Sequence, residues 1–322
     1  MKLHRITMLA GLVALLGTGA SAQTVGIGVN PQGSLFYRTG SAVAKLMNEI
    51  MGIKARTQPF SGSSTFVPLL NKNEIQLAMV AVGDAVSAFA GQDYFEGRPQ
   101  PNIRLLNVMF ELPFGIIVPA DSKVTKVSEL KGLRMPSGFP SMTTTIRPHN
   151  AYLASAGLSL GDMKPFPVAN VFKGVLALGD GKVDASGAAP GIAFVQKAHI
   201  KLKRRGGVRF LPLDTSPKAV ASMKRVLPSR VIVVKPAKHL VGVIEPTPMM
   251  AYSIYLSANE AMSDDRAYSI VKTLHANKAH LVRSAKVLNR FNPARMTEEL
   301  ETPYHSGAIR FYKEIGQWPP KG

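Results

Sequence analysis

Stretches with strand character alternate with amphipathic stretches along the chain from about residue 24 onward. Short runs rich in apolar residues predict strands at 25–29, 53–59 and 77–82. One intervening stretch places apolar residues at the spacing of a single helix face, namely Val43, Leu46, Met47, Ile50 and Met51. A second helix is predicted at 66–72, and Asp84 stands where it could cap a third. This alternation with short connections predicts a parallel α/β sheet with right-handed crossovers.

The middle of the chain repeats the same alternation. Further strands are predicted at 114–118, 133–135, 183–185, 208–213 and 231–234, and further helices at 124–130, 148–156 and 172–178. Residues 70–78 and 178–186 share one order, a helix end, a Gly/Asn turn and a strand, which suggests two similar lobes. Beyond about residue 250 the pattern becomes mostly helical, at 260–282 and 305–315, and predicts a helical C-terminal tail.

The first 22 residues have the three parts of a secretory signal peptide. Lys2 and Arg5 precede an apolar run, Ile6–Leu16, and Ala20-Ser21-Ala22 is a small-residue cleavage pattern. A membrane anchor is the alternative, but about 11 apolar residues cannot span roughly 30 Å of hydrocarbon. We therefore expect cleavage after Ala22. The mature protein is then expected to be free in the periplasm, because no cysteine for lipid attachment follows the apolar run.

The chain of 322 residues is strongly basic, with 39 Lys and Arg against 20 Asp and Glu and a formal net charge of +19. The basic residues are spread along the sequence. The one dense cluster, Lys201–Arg205, has no interleaved aromatic residues on which bases could stack, so nucleic acid is not expected as a partner. A global positive field instead helps to recruit small anions or an acidic surface.

No set of residues in the sequence assembles a catalytic centre. The chain has no cysteine, which excludes thiolate nucleophiles, disulfides and iron–sulfur clusters. Nucleophile-elbow, HExxH and P-loop motifs are missing, and Gly26-Ile27-Gly28 fails as a dinucleotide fingerprint because Pro31 stands where glycine is needed. The seven histidines are scattered. The sequence therefore predicts no catalytic residues, no metal and no cofactor.

Five strand-to-helix loops are rich in Gly, Ser and Thr, at 30–36, 61–65, 83–84, 136–145 and 186–191. In an open parallel sheet such loops lie at the carboxyl ends of the strands, where ligands bind, and their hydroxyls and helix N-termini suit a small carboxylate. Each residue taken alone also fits ordinary helix capping. The ligand-binding residues predicted on this basis are Asn30, Ser34, Phe36, Tyr37, Ser61, Ser63, Ser64, Asp84, Ser137, Thr143, Thr144, Arg147, Ser186 and Gly187.

Two of these residues carry sharper hypotheses. Of the pair Phe36 and Tyr37, we expect Tyr37 to line the cleft, because its hydroxyl can reach a ligand or a facing loop; the alternative is that both rings are core. Arg147 is the candidate partner for a carboxylate, since it follows a run of threonines and precedes Pro148, a favoured first helical residue. The alternative is a solvated arginine, because a cation at a helix N-terminus is mildly unfavourable.

Four segments of the chain, 28–37, 61–70, 75–80 and 304–316, together resemble the TAXI-type solute receptors of TRAP transporters. The last segment, Tyr304 to Gly316, is the most specific, and the resemblance spans essentially the whole mature chain. It implies a type II periplasmic-binding-protein fold, with two α/β lobes joined by crossover strands near 113–118 and 249–256. Lobe I is expected at 23–115 plus 251–322, and lobe II at 116–250.

The resemblance further implies capture of a small organic anion or amino acid and its delivery to a TRAP permease, and we expect a monomer. The first loop departs from the family pattern, with Gly33-Ser34-Leu35 in place of adjacent glycines, so the position of the site carries over but the identity of the ligand does not. Two alternatives stay open. A ligand sensor that docks to a signalling receptor would share the fold and cleft, whereas a periplasmic enzyme on this scaffold lacks a nucleophile and its base.

Overall fold

The computed structural model describes residues 24–320, so the predicted signal peptide and its cleavage site lie outside the described residues. None of the helices in this range combines the length and apolarity needed to cross a membrane. The strands are β1 Val25–Val29, β2 Ala55–Pro59, β3 Leu77–Ala81, β4 Ile103–Pro119, β5 Arg134–Gly138, β6 Lys164–Val168, β7 Ser186–Ala188, β8 Val208–Phe210, β9 Arg230–Val234 and β10 Thr247–Asn259. The α-helices are α1 Leu35–Ile50, α2 Ser63–Asn71, α3 Val82–Ala90, α4 Ile146–Ala154, α5 Val171–Gly179, α6 Ala193–Lys201, α7 Pro217–Val226, α8 Asp264–Ala276, α9 Lys278–Ser284 and α10 Ser306–Glu314.

Two long antiparallel strands, β4 and β10, connect two halves of the molecule. They pair along almost their whole length, from Asn259 opposite Ile103 to Met250 opposite Phe114. The first half of β4 and the second half of β10 belong to one lobe, and the remaining halves belong to the other. These are the two crossover strands that the sequence predicted. The predicted lobe boundaries, 115/116 and 250/251, fall inside these continuous strands and stay a prediction.

The first lobe is a sheet in the order β2-β1-β3-β10-β4 with helices against it. β1 is parallel to both β2 and β3, and all five of its residues are buried, as its apolar run predicts. α1 begins where Ser34, the N-cap, accepts a hydrogen bond from the backbone N–H of Tyr37, and it buries the face that contains Val43, Leu46 and Met47. The helical tail returns to this lobe, with α10 packed on α8 and α9 on α1.

The second lobe is built on the other halves of the long strands. β7 and β8 pair with β4, β9 pairs with β10, and β5 and β6 form a separate parallel pair. α4 packs against α7, and α5 packs against α6. Buried side chains form one continuous core that follows the long strands from lobe to lobe.

Several predicted elements differ from the observed ones. The strand expected at 183–185 lies at Ser186–Ala188, because the N–H groups of Asp184 and Ala185 donate instead to the carbonyl of Arg134. The helix expected at 124–130 is a single 3-10 turn over Val127–Leu130. β6, α6 and α7 were not predicted, and β4 begins eleven residues before the expected strand, at Ile103.

Candidate functional site: a closed cavity between the lobes

A cavity of about 70 Å³ lies where the two lobes meet. A water molecule needs roughly 10–15 Å³ of such space, so the cavity has room for about five water-sized groups. It is bounded by residues at the start of α1 and α3 from one lobe and of α4 and α5 from the other, together with Ile192, which directly precedes α6. Helix N-termini carry a partial positive charge, and five helices begin beside the cavity, although some of their first N–H groups are already paired within the protein.

The cavity walls are predominantly apolar and aromatic. Phe36 comes from α1, Phe114 from β4, Phe172 from α5 and Tyr252 from β10, and all four side chains are buried. The rings of Phe114 and Tyr252 are 6.4 Å apart between centroids. The remaining apolar lining residues are Leu35, Ala81, Leu112, Met142, Pro148, Val171, Ala189, Ile192 and Leu227.

Few polar side chains reach the cavity. They are Asn30, Ser34, Asp84, Thr144 and Thr145, together with the hydroxyl-bearing Tyr252. Asn30 follows the last residue of β1 and is 2% exposed. Its Oδ1 atom is buried and has no hydrogen-bond partner among residues 24–320. A buried acceptor left unpaired costs about 1–3 kcal/mol, so this atom marks a place where an occupant can donate.

Asp84 joins the two lobes from a buried position in the first turn of α3. Its Oδ1 accepts a hydrogen bond of 2.8 Å from the Ser63 hydroxyl in its own lobe and one from the Thr144 hydroxyl in the other. Burial raises the pKa of the Asp84 carboxyl, and the hydrogen bonds from Thr144, Ser63 and the Ala81 backbone oppose that rise. The carboxyl is therefore both a cavity wall and an interlobe contact.

Backbone and hydroxyl groups hold the two rims of the cavity together. The Ser64 and Thr143 hydroxyls are 2.9 Å apart, and the Asn170 amide donates to the Ser61 carbonyl at 2.9 Å. On the opposite rim, the Ala193 N–H donates to the Gly33 carbonyl at 3.1 Å. The structure is thus a closed conformation.

Arg147 lies at the edge of this contact, and it faces protein rather than the cavity. Its Nε atom is 2.8 Å from an Asp93 carboxylate oxygen in the other lobe. Asp93 also accepts a hydrogen bond from the Ser87 hydroxyl. Arg147 therefore forms an interlobe ion pair at the cavity edge. This arrangement differs from both sequence hypotheses, which were a contact with the ligand and a solvated side chain.

The structure brings ten of the fourteen predicted site residues to the cavity or its rims. Those that line the cavity are Asn30, Ser34, Phe36, Asp84 and Thr144. Those in the interlobe contacts around it are Ser61, Ser64, Thr143 and Arg147, and Ser63 donates to the cavity residue Asp84 within its own lobe. Four lie elsewhere, namely Tyr37, Ser137, Ser186 and Gly187.

Each residue outside the cavity has a structural setting of its own. Tyr37 is partly buried against the core of its lobe, and Phe36 is the member of the pair that lines the cavity. Ser137 lies in β5. Ser186 and Gly187 lie in β7, where a Cβ added to Gly187 would meet His149 Nε2 at 2.3 Å.

Sequence reasoning missed most of the aromatic wall. Phe172 had a usable signal, because it follows Asn170, whose side chain accepts from the Lys173 N–H as a helix N-cap. Phe114 and Tyr252 had none, because each stands within an apolar strand where core and cavity positions look alike.

His149 lies behind the wall and completes the site's electrostatics. Its ring stacks on Phe139 with centroids 5.0 Å apart and meets Phe114 edge-on at 5.1 Å. Burial lowers the pKa of His149 to about 4, although a hydrogen bond with the Thr145 carbonyl opposes the shift. The imidazole is therefore neutral at neutral pH and adds no positive charge to the cavity.

Comparison with solved structures shows which known fold the chain shares. PhnD1 from Prochlorococcus marinus, in complex with methylphosphonate, is 11% identical with a TM-score of 0.54, over 91% of this chain and 98% of that chain. The ligand-binding component of an ABC-type import system from Staphylococcus aureus, with zinc bound, is 11% identical with a TM-score of 0.51, over 93% and 94% of the two chains. The two-lobed periplasmic-binding-protein fold predicted from the sequence is thus confirmed.

The family assignment follows from the sequence match. Residues 27–316 match the NMT1-like family, and the chain belongs to that family.

Proposed function

We propose that this protein is a periplasmic solute receptor that captures a small carboxylate-bearing molecule, an organic anion or an amino acid, in the cavity between its lobes. One observation carries the proposal: a small cavity is walled by residues of both lobes, and five helices begin beside it. Such N-termini bind anionic groups through backbone N–H donors, and a cleft between lobes can close over its ligand.

The partner in this proposal is a TRAP permease in the membrane, which takes the ligand from a monomeric receptor. The resemblance of residues 28–37 and 304–316 to TAXI-type receptors supports this choice. The ABC-type system named for one structural neighbour is the alternative, and that neighbour shares the fold alone. Purified receptor with permease in ion-loaded liposomes would distinguish them: ligand uptake driven by an ion gradient without ATP supports the TRAP assignment, and strict ATP dependence contradicts it.

The ligand proposal is tested by thermal unfolding with a panel of dicarboxylates, oxo-acids and amino acids. A ligand at 100 times its Kd adds about 2.7 kcal/mol of stability, which gives a clear upward shift in Tm. Ala189→Leu adds bulk to the cavity wall and should abolish the shift, whereas Ala261→Leu, at an exposed site, should leave it unchanged. Equal shifts in the wild type and Ala189→Leu would place binding outside the cavity and overturn the proposal.

A further inference from the structure

The polar side chains that line the cavity contrast with the net positive charge of the chain as a whole. Within residues 24–320, Asp84 is a buried carboxyl, Asn30 Oδ1 is a buried acceptor without a partner, and no Lys, Arg or His is among the residues that line the cavity. The guanidinium of Arg147, at the cavity edge, is engaged with Asp93. A chain with a formal net charge of +19 thus presents acceptors, and no basic side chain, to its candidate ligand.

The two acceptors come from neighbouring strands. Asn30 follows β1 directly, Asp84 follows β3 by three residues, and β1 and β3 pair in parallel. Neighbouring parallel strands lie about 4.8 Å apart, and both of these side chains line the cavity. Tyr252 lines the same cavity, and the negative charge of Asp84 adds to the effect of burial in raising the pKa of Tyr252.

Aromatic rings supply the rest of the environment. Phe36, Phe114, Phe172 and Tyr252 line the cavity, and the faces of aromatic rings attract cations. The site therefore combines a buried carboxyl, an unpaired amide oxygen and several aromatic rings. A protonated amine can pair with the carboxyl, donate a hydrogen bond to the amide oxygen and interact with the rings.

We propose that the ligand carries an ammonium group held by Asn30 Oδ1 and the Asp84 carboxyl, with a compact apolar body against the aromatic wall. The inference rests on the proposed function and narrows it. Among carboxylate-bearing molecules it selects amino acids with apolar side chains, whose carboxylate faces the helix N-termini of the cavity. An organic anion without an amine leaves the Asn30 oxygen unpaired and a buried carboxyl beside a second negative charge.

The test compares three matched series by isothermal titration with the mature protein. The amino acids are alanine, valine and leucine; the amine-free counterparts are propionate, isovalerate and isocaproate; the carboxylate-free counterparts are ethylamine, isobutylamine and isoamylamine. We expect at least one amino acid to bind at least tenfold more tightly than its amine-free counterpart.

Asn30→Leu separates recognition from structure. Replacing an unpaired buried amide by an apolar group of similar size should keep or raise the Tm of the unliganded protein, yet weaken amino-acid binding at least tenfold. Asp84→Asn keeps an oxygen that accepts from the Ser63 and Thr144 hydroxyls and removes the charge. It should weaken binding of the amino acid more than binding of the amine-free acid. A purely structural role for either residue would lower the Tm and affect both series equally.

The outcomes distinguish this inference from the function beneath it. If the amine-free acids bind as tightly as the amino acids, or if both variants leave affinity unchanged, the inference is overturned and the receptor proposal stands. If the simple amines bind as tightly as the amino acids, the ammonium site holds and the carboxylate part of the proposed function fails. If no compound of the three series binds, while a dicarboxylate or oxo-acid of the wider panel does, the ammonium site is wrong.

Discussion

Gly62 shows how a single residue permits the closed conformation. It precedes α2, and a Cβ built on it would lie 2.0 Å from the Ser141 carbonyl oxygen of the other lobe. Its backbone is extended, so the requirement comes from this close approach and not from its own torsion angles. Any side chain here must push the lobes apart.

Gly62→Ala should therefore impair closure while it preserves each lobe. We expect a Tm of the unliganded protein within about 2 °C of the wild type and ligand affinity at least tenfold weaker, about 1.4 kcal/mol. Gly161→Ala is the matched control, because a Cβ there meets only the Ser159 hydroxyl at 3.4 Å, an ordinary contact. Wild-type affinity in Gly62→Ala would mean that the lobes bind ligand without this contact.

His149 gives the protein a predictable sensitivity to acid. Its pKa is about 4 in the fold and about 6.5 in an unfolded chain, so the unfolded state binds more protons between these values. Stability is then fully present above about pH 6.5 and falls as the pH drops toward 4, by up to about 3 kcal/mol. Urea unfolding at pH 7 and pH 4.5 measures this loss. His149→Phe should reduce it, and an unchanged pH dependence in that variant would assign the loss to other groups.

At the scale of elements, the periodic parts of the sequence were predictable and the crossover strands were only partly so. α1 was foreseen because its apolar residues recur at the spacing of one helix face. The first part of β4 was missed because Pro113 interrupts its apolar run. Pro113 is tolerated in β4 because, within residues 24–320, only β10 pairs with β4 at this position.

Some residues of the candidate site were predictable from the sequence and others were not. Loop residues such as Asn30, Ser34 and Asp84 were accessible to sequence reasoning, because strand ends and helix caps have local signals. The pairing of Arg147 with Asp93 was not, since it joins a helix of one lobe to a 3-10 turn of the other. Contacts between lobes depend on tertiary geometry that no local pattern records.

A charge swap tests whether Arg147 acts on ligand or on closure. The pair is partly exposed, with 27% and 40% of the side chains accessible, so its contribution to stability is about 0.2–1 kcal/mol. Arg147→Glu should weaken ligand binding about fivefold, with little change in Tm. Adding Asp93→Arg should restore affinity if the interaction is between lobes. If the double variant does not recover affinity, and if affinity falls more for anionic than for neutral ligands, Arg147 contacts the ligand directly.

For the whole molecule, closure is the property that links fold to function. The interlobe contacts at the rims join loops and helix ends of the two lobes, and each is a single hydrogen bond or ion pair. Each such hydrogen bond contributes about 0.5–1.5 kcal/mol. Because these contributions are small, gain or loss of a ligand can shift the equilibrium between the open and closed conformations. A ligand that contacts both walls adds the differential affinity needed to favour the closed state.

Small-angle X-ray scattering should detect this equilibrium directly. With saturating ligand we expect a radius of gyration near the roughly 19 Å of a compact chain of about 300 residues, and a larger value without ligand, because the empty lobes separate about the crossover strands. Gly62→Ala should keep the larger value at ligand concentrations that close the wild type, since the Ser141 carbonyl occupies the space its methyl group needs. Identical scattering with and without ligand in the wild type would show that the cavity is preformed and that ligand enters without lobe movement. The affinity loss expected for Gly62→Ala would then have to arise at the cavity wall itself, where Met142, next to Ser141, is a lining residue.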